Sequence, residues 1–70
     1  MNKNLLKSKM ALFGDTGASL AEHLGISQNT FSLKLNGILV FNQPEIQKIK
    51  EKYDLTSEEI DQIFFGQVVS

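Results

Sequence analysis

The stretch LAEHLGISQNTFSLKLNG, residues 20–37, decides how this chain folds. Its apolar residues recur at three and four rather than at two: Leu20, Ala21 and Leu24 share one helical face, and Phe31 and Leu35 share another. Between the two sets stands Gly25, a residue that adopts the left-handed backbone with which many helices end. Ser27 follows, and its hydroxyl is suited to accept an orphan backbone N–H at a helix start. The spacing predicts two short helices joined by a tight turn, one beginning after Thr16 and ending at Leu24, the other running from Gln28 to Asn36.

The same grammar extends outward. Ser27, Asn42 and Thr56 are each preceded by an apolar residue and followed four positions on by another: Ile26 with Phe31, Phe41 with Ile46, Leu55 with Ile60. Such pairs staple the entering chain to the first turn. Glu45 and Glu59 stand three residues after Asn42 and Thr56, the spacing of a capping box, and Pro44 falls in a first turn where its missing N–H costs little. A first helix over Lys3–Phe13, a fourth over Gln43–Tyr53 and a fifth over Ser57–Phe65 complete an all-α chain of five short helices. Leu6, Met10, Leu20, Leu24, Phe31, Leu35, Ile46, Ile49, Tyr53, Ile60, Ile63 and Phe64 are the expected core.

Seventy residues suffice for one small domain, residues 1–70, ending in a short tail over 66–70. The absence of cysteine excludes a disulfide framework and a thiolate metal site. The single histidine, His23, is too little for a metal cluster and is expected to face solvent. The longest apolar run is Ile38–Phe41, so no membrane segment is expected and the chain reads as cytoplasmic. Glu58, Glu59 and Asp61 sit where they stabilise a helix start, and no nucleophile, base and pocket come together; no enzyme, cofactor or small-molecule substrate is expected.

Charge is unevenly placed. Lys3, Lys7, Lys9 and Lys34 against Asp15 and Glu22 give the first forty residues +2. The remaining thirty, with three lysines against Glu45, Glu51, Asp54, Glu58, Glu59 and Asp61, carry −3, for a net −1. A polyanion would therefore meet the first half.

Helices two and three, over residues 17–36, have the form of a helix-turn-helix, a motif whose second helix can present its first residues to base edges in the major groove. With Phe31 set inward at 100° per residue, Asn29, Ser32, Leu33 and Asn36 fall on the opposite side. That outer face is almost wholly amide and hydroxyl, with Leu33 its apolar exception. Amides suit base recognition because they bond adenine bidentately, and Leu33 suits a thymine methyl. Lys34, lysines of the first helix and backbone N–H groups around Gly17 would meet phosphates.

SLAEHLGISQNTFSLKLNG resembles the helix-turn-helix of the phage Cro and lysogeny-repressor superfamily, and FNQPEIQKIKEKYDLTSEEIDQIFF is similar to the last two helices of small phage regulators. The resemblance spans about Lys3 to Phe65. It implies a compact five-helix, lambda-repressor-like DNA-binding domain that occupies an operator in double-stranded DNA within a lysis–lysogeny switch, usually as a homodimer. Carried over by position, Gln28 and Asn29 would read bases, Thr30 and Ser32 would touch bases or phosphates, Lys34 and Asn36 would lie near the backbone, and Ser27 and Gly17 would belong to the same interface. The chain departs from the pattern in two respects: Gly17 stands where a phosphate-gripping Gln is common, and arginine is absent throughout. These departures, with surplus apolar residues at Phe65, Val68 and Val69 and at Leu33, Leu39 and Val40, bring in a second expectation. The chain would act as an antirepressor that binds the phage repressor protein.

Overall fold

The five helices form where cap residues and apolar spacing agree. The structure, a computed structural model, describes residues 1–66. It contains α1 (Lys3–Leu12), α2 (Gly17–Leu24), α3 (Gln28–Leu35), α4 (Gln43–Tyr53) and α5 (Ser57–Phe64), with no strand among the described residues. Ser27, Asn42 and Thr56 each accept a backbone N–H from three residues on, and Glu45 and Glu59 return the bond to the caps of α4 and α5. A further box opens α2, where Thr16 and Ser19 bond reciprocally. Serine at its third position is not the usual acid or amide of that motif.

Helix ends fall one residue short of the expected limits in three cases. Phe13, Asn36 and Phe65 are C-caps rather than last helical residues. Gly25 ends α2 at φ 76°, and Asp54 ends α4 at φ 51°. An aspartate tolerates this left-handed region better than most non-glycine residues.

Leu6, Leu20, Phe31, Ile49 and Ile63 are the largest side chains at the centre of one core to which every helix contributes. α2 packs on α3 and α4, and α1 packs on α5, where Asn2 N–H also donates to the Ile63 carbonyl at 2.8 Å. Phe31, Phe41 and Phe64 meet edge to face, with centroids 6.0 and 5.4 Å apart. The staple residues Phe41 and Leu55 are fully buried, whereas Leu35, Ile46 and Phe64, expected in the core, are half-buried against it. Residues before a cap bury more deeply here because the loops entering α4 and α5 fold over the helix ends. The radius of gyration, 11.2 Å, is that of a compact chain of this length.

Candidate nucleic-acid interface

α3 presents a row of exposed polar side chains because its other face is pinned by Phe31. Gln28, Asn29, Ser32 and Asn36 are exposed, and Thr30, Leu33, Lys34 and Leu35 are half-buried. Ser27 Oγ accepts the Thr30 N–H at 3.1 Å and donates to Thr30 Oγ1 at 2.9 Å, so both hydroxyls are engaged in starting the helix. Gln28 and Asn29 make no side-chain hydrogen bond among the described residues, which leaves two amides free at the start of α3. Leu33 lies against the chain that turns back after α3, and its carbonyl accepts the N–H groups of Ile38 and Leu39.

The geometry alters what was expected of Lys34. Its ammonium lies 2.5 and 2.7 Å from the two carboxylate oxygens of Glu45, and both side chains are largely buried. Glu45 Oε1 also accepts the Asn42 N–H at 2.9 Å. One carboxylate thus caps α4 and ties α3 to it. Lys34 is committed to this pair instead of standing free beside a phosphate. No periodic pattern reveals this, because eleven residues and a loop separate the two.

Asn36 is likewise occupied: its Nδ2 donates to the Ser32 carbonyl at 2.9 Å, and its Oδ1 accepts from Lys3 Nζ at 3.0 Å. That bond brings α1 alongside the polar face of α3. Lys7 and Gln28 share a shallow cavity of about 220 Å³ with Gly17 and Ser32, floored by Phe31. Lys3 and Lys7 are therefore the cations beside this face. Their i, i+4 spacing away from the buried Leu6 and Met10 was the signal that marks them individually.

Gly17 is half-buried, and a β-carbon there would stand 3.7 Å from the Phe31 ring. Just before α2 lies Asp15, which accepts from Tyr53 OH at 2.7 Å and Ser19 Oγ at 2.8 Å, with Lys52 Nζ at 3.5 Å. The Tyr53 hydroxyl, helped by Ser19 and Lys52 and opposed by burial, holds the Asp15 carboxyl below its ordinary range. A carboxylate thus sits close to the α2 start at which backbone N–H groups were expected to meet phosphate.

Among the described residues, no group of three His, Cys, Asp or Glu side chains is placed to hold a metal ion, and no helix is long and apolar enough to cross a membrane. His23 is exposed, as expected. Phe65 is exposed as well, while Val68 and Val69 lie outside the described residues. Comparisons of the chain with protein-family models, with curated proteins and with solved structures find no match.

Proposed function

We propose that this chain is a regulator in a phage lysis–lysogeny switch that keeps a helix-turn-helix architecture but acts as an antirepressor, binding the phage's DNA-binding repressor through the polar face of α3. The observation that carries this reading is the Lys34–Glu45 pair, which removes the one cation of α3 from any partner's reach.

DNA affinity rests largely on the number of phosphates neutralised, and proteins making six to ten such contacts owe much of their binding to them. Here Lys3 and Lys7 flank the face, arginine is missing, and Asp15 stands at the α2 start. Two phosphate contacts give a salt slope of only about −2 and little affinity to build on. A repressor, in contrast, needs a basic surface to hold its operator. A chain with net charge −1, and −3 in its second half, is drawn to such a surface rather than repelled. Gln28, Asn29 and Ser32 are small, adaptable hydrogen-bonding groups that suit a protein contact as well as a base.

Direct operator reading is the second function the site supports, and the free amides of Gln28 and Asn29 at the start of α3 favour it. The two separate in one titration. The chain is added at low salt to phage-promoter DNA alone, to purified repressor alone, and to the repressor–operator complex. An antirepressor binds the repressor and releases or remodels its DNA without shifting DNA by itself. A shift of DNA by the chain alone, lost in Gln28→Ala/Asn29→Ala, with no association with folded repressor in excess, would establish the operator reading instead.

A further inference from the structure

We infer that the turn after α3 and the end of α5 form a self-association surface, and that a second copy of this chain is its occupant. Val40 is 85% exposed, Ile38 69%, Phe65 56%, and Leu39 and Met1 43% each. All but Ile38 line one cavity of about 260 Å³, floored by Phe41, Ile46 and Phe64, and Ile38 adjoins it in the chain. Burial of these five side chains serves nothing within the described fold, and none takes part in the face built on α3.

The charge pattern selects the occupant. No charged side chain lies from Leu35 to Pro44 or from Gln62 to Phe65. The two charges that bound the first stretch, Lys34 and Glu45, neutralise each other. A basic repressor surface would be desolvated on this patch with nothing to pair it, at a cost that an apolar contact does not incur. In a two-fold contact, by comparison, each patch meets its own image, and a neutral apolar patch meets it without placing like charges together.

The exposed area fits a weak dimer. The five side chains amount to about three fully exposed large residues, on the order of 500 Å² of apolar surface. Two copies then bury about 1,000 Å² in total, the lower limit for a specific interface and well below the roughly 1,600 Å² of a standard one. A dissociation constant on the order of 10 to 100 μM follows from an interface of that size and apolar character. The surface stands independently of the antirepressor reading. If that reading also holds, two copies present two α3 faces, and a dimeric repressor is then engaged bivalently.

Sedimentation equilibrium on the full chain from about 10 μM to about 1 mM tests the inference across that range of dissociation constants. Reversible dimerisation is expected, with Val40→Asp weakening it at least tenfold and Leu12→Asp, exposed on α1 outside the cavity, leaving it unchanged. Val40 is so exposed that the variant should keep the wild-type circular dichroism. A monomer throughout that range would overturn the inference, as would a dimer broken by Leu12→Asp and not by Val40→Asp. Intramolecular NOEs from Val68 or Val69 methyls to Val40 in the monomer would also overturn it, since the chain's own tail would then be the occupant.

Discussion

Replacing Lys34 with Met tests the ion pair on which the functional reading depends. The side chains of Lys34 and Glu45 are 11% and 6% exposed, so the pair lies in the regime where removing one partner strands a charge. Such stranding costs about 3 to 5 kcal/mol, and the lower end is expected here because Glu45 keeps the Asn42 N–H. A chain of seventy residues has about 3.5 to 10 kcal/mol of stability in all, so Lys34→Met should bring it close to the unfolding threshold. Lys34→Met/Glu45→Gln removes both charges, and Gln retains an oxygen for the cap; it should recover all but about 1 kcal/mol, giving a coupling near 2 kcal/mol. Urea unfolding followed at 222 nm measures each. In 1 M salt the Lys34→Met deficit should persist, whereas any effect of breaking the more exposed Lys9–Glu59 pair should shrink. If Lys34→Met costs less than about 0.5 kcal/mol, the pair is worth no more than a surface contact. Lys34 would then be available to a phosphate, and the case against a free operator binder would fail.

Tyr53, the single tyrosine, should resist ionisation: its burial, with the Asp15 carboxylate beside it, pushes its pKa well above 10.0, so absorbance at 295 nm should rise only at higher pH than in the urea-unfolded chain. Stability from this raised pKa is present below 10 and is lost as pH climbs through the folded value. Asp15 has the opposite sign: its contribution is full above its ordinary value of 3.8 and disappears as pH falls through the depressed folded one. Tyr53→Phe removes the largest cause of that depression, so the drop in urea midpoint between pH 5 and 2 should be smaller in the variant. Gly25→Ala should cost about 1 kcal/mol, because φ 76° is left-handed, whereas Gly17→Ala, at ordinary contact distance from Phe31, should be neutral or stabilising by about 0.5 kcal/mol in thermal melts.

The helices were legible because their signals are local. Cap, staple and N3 acid lie within five residues of one another, so α2 and α4 begin and end where those residues place them. The outer face of α3 was legible for the same reason, since Phe31 alone sets the rotation of Gln28, Asn29 and Ser32. The fate of Lys34 was not. A lysine on that face and a glutamate at the N3 position of α4 each had a sufficient local explanation, and only the packing of α3 against α4 brings them within 3 Å. Asp15 and Tyr53, thirty-eight residues apart, meet in the same way. Periodicity assigns residues to faces; the partner across a face depends on how helices cross.

These long-range pairs also explain how the proposed regulator would act without a strong hold on DNA. If the repressor binds either this chain or its operator, its apparent operator affinity falls by the factor 1 + [L]/Kd, where [L] is the free concentration of the chain. A hundredfold fall needs a free concentration of about a hundred times Kd with a monomeric contact. A weak dimer lowers that requirement, because once one α3 face is seated the second acts at the effective concentration set by the dimer, which reaches millimolar for closely linked sites. Weak self-association then becomes a threshold device. Below its dissociation constant the chain competes singly, and above it competition steepens with the square of chain concentration. Abolishing the dimer with Val40→Asp should therefore leave repressor binding by one chain intact while flattening the dose dependence of operator release, which a titration of repressor–operator complex with wild type and variant would show. An equal slope for both would mean that the repressor is engaged by one copy at a time.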